Sequence, residues 1–498
     1  MNIKVAAEAI RINNFEEIES GLRIYSASRL ISGDTTVAMV ASEDTDYILA
    51  VGSGPLFDEL TGERTDDYLL APLSHENRLV LNRHLGYTNP VCCGREGVSI
   101  GLGDRLGIAA EGHVRAIAGR TVIPVFAQQS KRELDLTQRS FKSVLDDAVF
   151  GIIRAGYRGP FGADADHLKD PKDIAEAINL GYSMITLDCS DFIEKQKENM
   201  TEKEVKKAIK KLPSETTAYY INKYSDKSFS IENVDIFFPG EELKIHILTY
   251  HKAIKFMMQI YRQYIELAPR EMDFEISIDE TETPTSPAAH YLIGRELEDA
   301  VVRATSIAPR FCGEFQKGID YRGNIKQFKE ELKTHAAIAD HFGYRLSIHS
   351  GSDKFSIFPH VGAVTKKRFH LKTAGTSWLE ALRVIAANEP ELYRILHTFA
   401  RDNFPKALKY YHVSADLASV APLEETDDKD LPRYLDEDDA RQMLHITYGL
   451  ILQETDRSKK KYMRDGLYAA LKKHRRDYRD NLHNHIGKHL RDLGLLDV

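Results

Sequence analysis

The chain has 498 residues with 42% hydrophobic side chains and a formal net charge of -8, which allows a large buried core and argues against a nucleic-acid-binding protein. Its first residues lack the apolar stretch of a signal peptide, and no run approaches the roughly 18 apolar residues that a membrane-spanning helix needs. We therefore expect a cytoplasmic protein that acts on a small molecule and has no nucleic-acid or membrane partner.

The first part of the chain is predicted to be rich in β-strands. The segments RIYSASRLIS, TTVAMVA and DYILAVGS contain β-branched and aromatic residues, and Gly- and Asp-containing turns separate them. We therefore expect residues 1–95 to form an N-terminal α+β region that packs against the rest of the protein.

The next part of the chain, residues 96–405, alternates short apolar runs with helical patterns. The eight runs read VSIGLGDRLG, VIPVFAQQS, FGADADHLK, MITLDCSD, DFEISIDE, RFCGEFQKG, RLSIHSGSDK and FHLKTAGTS. Eight strand–helix repeats are typical of a (β/α)8 TIM-type barrel, whose active site lies at the carboxyl ends of the strands. The sequence therefore predicts an α/β protein with a catalytic barrel.

Two additions to this barrel are predicted. The connection after strand four is far longer than a βα unit needs, so residues 192–268 are interpreted as a helical insertion that includes the short β segment SFSIENVDIFF. Residues 406–498 are predicted to form a C-terminal helical extension. His485 and His489 lie one turn apart on its last helix, and their Arg and Lys neighbours favour a solvated face.

The predicted strand ends carry many groups capable of chemistry. They are Asp104, Arg105, Gln128, Asp166, His167, Lys169, Asp188, Glu275, Glu314, His349 and Lys372. Because the carboxyl ends of barrel strands converge at one mouth, we expect these side chains to share a single site.

Four of the residues in and near this group are candidate ligands of a divalent metal, since His, Asp and Glu are the side chains that bind such ions. The alternation in RLSIHS places His349 on the polar side of its strand, and His167 lies in an ionisable cluster after strand three. Glu314 and Asp320 are both eligible as an oxygen ligand. Each assignment has a structural alternative. His349 could be a hydrogen-bonded histidine of the core, His167 could lie in a solvated loop, and Asp320 could be a turn residue.

Paired carboxylates indicate acid–base chemistry. In DFEISIDE the acidic residues alternate with apolar ones, so Glu275 is expected inside the barrel, where burial should raise its pKa toward that of a general acid. Asp166 is the candidate partner base. The alternative for Glu275 is a residue of the barrel floor that an Arg or Lys neutralises.

Cationic and amide groups at the strand ends predict a site for an anionic substrate. Arg105 follows a glycine-rich stretch that would let a substrate carboxylate approach the backbone. The other candidate substrate-binding residues are Asp104, Gln128, Lys169, Lys354 and Lys372.

The motifs GDRLGIAAEGH, FAQQS, GADADHLK, FEISIDE, CGEFQKGIDY, LSIHSGSDKF and FHLKTAGTSWLEAL, from about residue 98 onward, resemble the tagaturonate epimerase family. The resemblance implies interconversion of D-tagaturonate and D-fructuronate with a divalent metal, for which Mn, Zn, Ni and Fe are all open. By the same resemblance Asp166 corresponds to the proton acceptor and Glu275 to the proton donor. His167 and His349 correspond to metal ligands, and the third ligand is Glu314 or Asp320.

Several alternatives stay open at this point. Epimerisation by a retro-aldol step and by stepwise migration of the carbonyl both fit the residues. An aldose–ketose or uronate isomerase and a metal-dependent class II aldolase would use the same barrel and metal, and a non-catalytic carbohydrate-binding barrel would use neither acid nor base. A homo-oligomer is compatible with the sequence. Glu111 departs from the smaller or less charged residue expected at its position in the family.

Overall fold

The computed structural model describes residues 3–15, 22–42, 45–194, 200–232, 234–281, 283–454 and 463–495. Its centre is a closed barrel of eight parallel strands that are neighbours in chain order, and the last strand pairs with the first. The strands are β1 (Val98–Leu102), β2 (Ile123–Ser130), β3 (Gly162–Leu168), β4 (Met184–Asp188), β5 (Asp273–Ser277), β6 (Ser306–Ala308), β7 (Arg345–Ile348) and β8 (Phe369–Thr373). The predicted (β/α)8 fold class is confirmed.

Strand six lies earlier in the chain than the sequence predicted. The run RFCGEFQKG begins after β6 and forms a loop, in which Gly313 has a φ of +75°. Phe311 and Cys312 of this run are buried, and Phe311 packs against Phe328 of the following helix, with ring centroids 5.4 Å apart. The apolar pattern therefore arises from the packing of a loop, and Glu314 does not lie at the end of a strand.

Helices follow the strands around the barrel. They are Ala110–Ile117 after β1, Lys131–Thr137 and Phe141–Ala155 after β2, Pro171–Leu180 after β3, Pro287–Asp299 after β5, Ile325–Phe342 after β6, Phe358–Val364 after β7 and Thr376–Asn388 after β8. Local sequence sets their ends. The Asn324 side chain accepts hydrogen bonds from two backbone amides at the start of Ile325–Phe342, and left-handed Gly343 ends that helix.

The long connection after β4 contains a small subdomain. Its elements are the 3-10 turn Ser190–Phe192, the helices Glu202–Ile209 and Ser214–Tyr224, the hairpin strands Ser228–Ile231 and Val234–Phe237, the helix Gly240–Ile260 and the π turn Tyr261–Ile265. The hairpin coincides with the predicted β segment. The long last helix returns the chain to the barrel wall at β5.

The N-terminal part is an antiparallel sheet with helices around it. Its strands are Arg23–Ile24, Leu30–Ser32, Thr35–Ser42, Thr45–Gly52, Glu63–Arg64 and Leu69–Pro72, and its helices are Ile3–Ile12, Pro55–Glu59 and His75–His84, with 3-10 turns at Ser26–Ser28 and Gly86–Thr88. In the central pair every residue from Thr35 to Ser42 has a partner on the neighbouring strand.

The C-terminal part is helical, as predicted. Its elements are Pro390–Ala407, the 3-10 segments Leu423–Glu425 and Asp428–Leu435, and the helices Asp438–Ile446, Tyr448–Gln453, Met463–Lys473 and Arg475–Asp492. The last helix lies close to Ala110–Ile117, because Gly112 lacks a Cβ that would come within 2.4 Å of Leu482. Among the described residues, no helix combines the length and apolarity that would let it cross a membrane.

Candidate active site

The buried ammonium group of Lys372 is the centre of the barrel's polar interior. From β8 its Nζ lies 2.8 Å from Asp164 and 2.6 Å from Asp166, both on β3, and 2.7 Å from Glu275 on β5. Asp164 and Asp166 face inward because Ala163 and Ala165 take the alternate, outward positions of β3. One cation therefore joins three carboxylates from two strands.

Neutral side chains complete this network. The Ser306 hydroxyl on β6 donates to Glu275 at 2.5 Å, and Gln128 on β2 donates from Nε2 to Asp166 at 2.8 Å. Gln128 reaches Asp166 past Gly101, where a Cβ would lie 2.7 Å from the amide oxygen. That amide oxygen is buried without a hydrogen-bond partner in the structure, so it can accept from a substrate hydroxyl next to Asp166.

The charges of this network shift its protonation. Burial by itself raises the pKa of Asp166 and Glu275, but the Lys372 ammonium and the neighbouring histidines together outweigh burial and hold the pKa of both carboxyls below the usual range. Burial raises the pKa of Asp164 to about 6. The expectation that Glu275 has a raised pKa is therefore wrong, because an ammonium replaces the solvent that burial removes.

Two histidines lie at the mouth above these carboxylates. His349, directly after β7, has Nε2 2.8 Å from Glu275 and Nδ1 3.1 Å from Asp279. The ring of His167, at the end of β3, is 4.9 Å from that of His349, and its Nδ1 is 3.7 Å from Asp188. Burial lowers the pKa of His349, but Asp279 and Glu275 together outweigh burial and raise that pKa to about 10.

The backbone at this mouth is unusual as well. His167, Ser350 and Asp353 have φ values of 55°, 50° and 62°, in the left-handed region that non-glycine residues rarely adopt. Such conformations cost on the order of 1–3 kcal/mol each, and they concentrate at functional sites.

The structure does not bring the two proposed third metal ligands to these histidines. Asp320 accepts hydrogen bonds from the backbone N–H and hydroxyl of Ser356 and so fixes a loop. Glu314 is exposed and accepts from Gln316; it lines an adjoining cavity together with His349 and Asp279, but it forms no ion pair with either histidine. The carboxylates nearest the histidine rings are Asp166 and Asp188, each 3.7 Å from His167, and Glu275 and Asp279, 2.8 and 3.1 Å from His349. Asp188 was among the strand-end candidates, whereas Asp279 was visible in the sequence only as a member of an acidic stretch.

Three of the predicted substrate-binding residues instead form hydrogen bonds and ion pairs that stabilise the fold. Buried Arg105 donates to Glu133 at 2.7 and 2.9 Å, and its guanidinium lies 3.7 Å from the ring centroid of Tyr448. The Asp104 carboxylate accepts from three backbone amides at the start of the helix after β1. Lys354 donates all three ammonium hydrogens to backbone carbonyl groups, those of Gln316, Ile319 and Ser352.

The remaining candidates do lie at the mouth. A cavity at this mouth is lined by Gln128, Asp166, His167, Asp279, His349 and Lys372, among others. Lys169 lies at the edge, where its ammonium is 2.7 Å from Asp191. Glu275 does not line this cavity, because Lys372 and His349 lie between it and the opening. Lys317 and Glu280 line the cavity but were missed, since loop residues after β5 and β6 carry no periodic signal.

The expectation that His485 and His489 occupy a solvated face is wrong. His485 Nε2 is 2.5 Å from the Asp353 carboxylate, and His489 is fully buried. The backbone N–H of Asp353 donates to His489 Nε2, and Arg441 donates to the same carboxylate at 2.9 Å. The last helix therefore fixes the loop that follows β7.

Among the described residues, two groups of three potential ligand side chains have atoms within 4.8 Å of one another, namely Asp353, His485 and His489, and Asp164, Glu275 and His370. In the first group both ring nitrogens of His489 already have protein partners. In the second group Lys372 contacts both carboxylates. His167, His349 and Asp279 line the cavity, and imidazole and carboxylate are donors that suit a divalent transition metal, which would displace a carboxylate contact of His349 on binding.

Comparison with known proteins supports an enzymatic site. A family model described as tagaturonate epimerase matches residues 25–493. The tagaturonate/fructuronate epimerase of Thermotoga maritima is 40% identical over 475 residues, which cover 94% of this chain and 96% of that protein. The native crystal structure of the fructuronate-tagaturonate epimerase from Cohnella laeviribosi has a TM-score of 0.94 and 48% identity, and the match covers 99% of this chain and 100% of that chain. Its complex with one glycerol has a TM-score of 0.93 and 50% identity, with 95% and 96% covered.

Proposed function

The chain belongs to the tagaturonate epimerase family, and we propose that it interconverts D-tagaturonate and D-fructuronate at the mouth of its barrel. Its relatives are epimerases, so the enzyme class is that of an isomerase. The observation that carries the proposal is the Lys372 ammonium, which contacts Asp166 beside the cavity and Glu275 behind it. This arrangement supplies a base and a mobile proton within one hydrogen-bonded unit.

We propose that His167 and His349 hold a divalent metal, with Asp188 or Asp279 as the neighbouring carboxylate. When bound there, the ion would polarise the ketone oxygen of the substrate. The donor set of two imidazoles and a carboxylate fits Mn, Zn, Ni or Fe, and it does not select among them. This assignment replaces Glu314 and Asp320 as the oxygen ligand.

Proton transfer falls to Asp166 and Lys372, which both face the cavity. The lowered pKa of Asp166 keeps its carboxylate ionised, which is the form that can accept a proton. The pKa of Lys372 is raised well above its usual value, because three carboxylates outweigh the effect of burial on the ammonium. Glu275 does not reach the cavity, so we infer that it acts through Lys372 and His349 rather than on the substrate directly.

The carbon that is inverted lies one carbon beyond the α position of the ketone, so removal of an α proton does not invert it. We propose a retro-aldol step in which Asp166 takes the proton of the hydroxyl group on that carbon. The bond to the α carbon then breaks, and its electron pair moves into the ketone. After the aldehyde has turned and the bond has re-formed, Lys372 protonates the new alkoxide and recovers a proton from Asp166. Migration of the carbonyl by stepwise deprotonation is the competing route.

The proposal is tested by NMR spectroscopy of the purified protein with D-fructuronate, before and after chelation and with added Mn, Zn or Ni. Formation of tagaturonate that EDTA abolishes and metal restores supports both the activity and the metal. Absence of turnover with every metal contradicts the epimerase function. Turnover in deuterated water distinguishes the routes, because carbonyl migration introduces deuterium at carbon and the retro-aldol route with a retained fragment does not.

A further inference from the structure

The cavity carries positive charge that the acid–base network does not use. Four cationic side chains, Arg132, Lys317, Lys354 and Lys372, and four carboxylates, Glu133, Asp166, Asp279 and Glu280, line it. Three of these carboxylates are already paired, with Arg105, Lys372 and His349 respectively. The charged groups of the cavity that lie outside these pairs are the cations Arg132, Lys317 and Lys354 and the carboxylate of Glu280.

Lys317 has the clearest capacity for another ligand. Its ammonium donates to the Ser350 hydroxyl at 3.0 Å, which places it next to the residue that directly follows His349. It forms no ion pair with a carboxylate of the described chain, so it can still donate to a ligand. The side chain is partly buried, and burial lowers the pKa of its ammonium. An anion bound there would place a negative charge beside the ammonium and so stabilise its charged form.

Arg132 lies at the same end of the cavity. It stands in the first turn of Lys131–Thr137, its guanidinium is 4.8 Å from the ring centroid of Tyr411, and it donates to the Tyr410 carbonyl at 3.2 Å. Like Lys317 it has no ion pair with a carboxylate among the described residues. The stacking contact fixes the plane of the guanidinium and leaves its other N–H groups for a ligand.

Lys354 lines the same cavity but is a poor anion anchor. Three backbone carbonyl groups occupy the three hydrogens of its ammonium. Burial lowers the pKa of its ammonium to about 7. Its bonds join the loop after β6 to the loop after β7, which is a structural task.

We propose that Lys317, assisted by Arg132, binds the carboxylate of the sugar acid and selects acidic over neutral ketoses. The assignment rests on the proposed function, since it names the group that holds one end of that substrate. The ketone end would lie toward His167 and His349, and the inverted carbon is two bonds from the carboxyl carbon. The contact from Lys317 to Ser350 keeps the two ends of the site at a fixed separation.

The test compares Lys317→Met with Lys317→Arg and with the control Lys131→Met, whose ammonium lies outside the cavity and is 3.6 Å from Asp173. Substrates are D-fructuronate and the neutral ketohexose in which a hydroxymethyl group replaces the carboxylate. We expect Lys317→Met to raise KM for D-fructuronate about 10- to 100-fold, as for loss of a charged hydrogen bond, with a smaller change in kcat. The neutral substrate should change less than about threefold, and Lys317→Arg should restore much of the selectivity.

A binding experiment separates failure of this assignment from failure of the proposed function. Calorimetric titration with D-gluconate and with the neutral polyol D-glucitol requires no turnover. Weaker binding of gluconate alone by Lys317→Met supports the anchor even if the wild-type protein does not convert D-fructuronate. Equal losses for the acidic and neutral ligands, or an unchanged KM and an unchanged gluconate affinity, would overturn it.

Discussion

Replacement of Lys372 by Met tests whether one ammonium holds the interior of the barrel together. The side chain is 4% exposed, and its ammonium contacts three carboxylates at 2.6 to 2.8 Å. Removing one partner of a buried ion pair typically costs ~3–5 kcal/mol, because the other charge stays buried without compensation. At roughly 1 °C per kcal/mol for cooperative unfolding of a chain of 498 residues, the melting temperature should fall by about 3–5 °C.

A double variant identifies the source of this loss. In Lys372→Met with Asp164→Asn, one uncompensated carboxylate is gone, so about half of the lost stability should return. Activity should not return, because Asp166 and Glu275 are still not joined, and we expect kcat/KM to stay at least ~1,000-fold below that of the wild type. Thermal unfolding and NMR turnover measure the two effects separately.

The control for this experiment is Lys366→Met, which removes a surface ammonium 3.3 Å from Asp340, with 71% of the lysine side chain exposed. Such a pair contributes less than ~1 kcal/mol, so the melting temperature should barely change. The reasoning would be refuted if Lys372→Met unfolded at the wild-type temperature. It would also be refuted if the Asp164→Asn change lowered the stability of the Lys372→Met protein further.

Three further outcomes are expected. Asp166→Asn should lower kcat by ~100- to 10,000-fold with little change in KM, measured by NMR turnover, as for loss of a general base. Glu275→Gln should lower kcat less and move the alkaline limit of the pH–rate profile to lower pH, because loss of a carboxylate lowers the pKa of Lys372; an unmoved profile would contradict action through Lys372. Burial lowers the pKa of His485, but Asp353 and Glu380 together outweigh burial and raise that pKa, so the stabilising contribution of His485 is complete below pH ~6.5 and lost as pH rises through the folded-state pKa. His485→Asn should therefore reduce the melting temperature more at pH 6 than at pH 9, and equal reductions would count against this ion pair.

The barrel could be predicted because its signal is periodic. Each buried strand is a short apolar run, and polar residues follow at its end, so the alternation of strands and helices survives without knowledge of contacts. Strand six is the exception. At three residues, β6 (Ser306–Ala308) is too short to show a pattern of its own, whereas the loop beginning at Arg310 contains aromatic residues that pack on a helix and imitate a strand.

The candidate site could be predicted only as a set of residues. Asp166, His167, Glu275, His349 and Lys372 were all recognised from strand ends, and the structure brings them together. Their separate surroundings could not be predicted, because protonation and access to the cavity depend on which side chain lies in front of which. Those relations are set by barrel register and by loops, and neither has a local sequence signal.

Lys354 and Lys317 show how far this limit reaches. Both are lysines that line the cavity, and sequence reasoning selected Lys354, because it follows β7 in a motif rich in polar residues. The ammonium of Lys354 donates its hydrogen bonds to backbone carbonyl groups of two loops, whereas the ammonium of Lys317 donates to one hydroxyl group. Because every residue has a backbone carbonyl group, the sequence does not indicate which side chain will donate a hydrogen bond to it. Which of two lysines can bind an anion is therefore decided by loop conformation, and substitution of Lys317 is the more informative experiment.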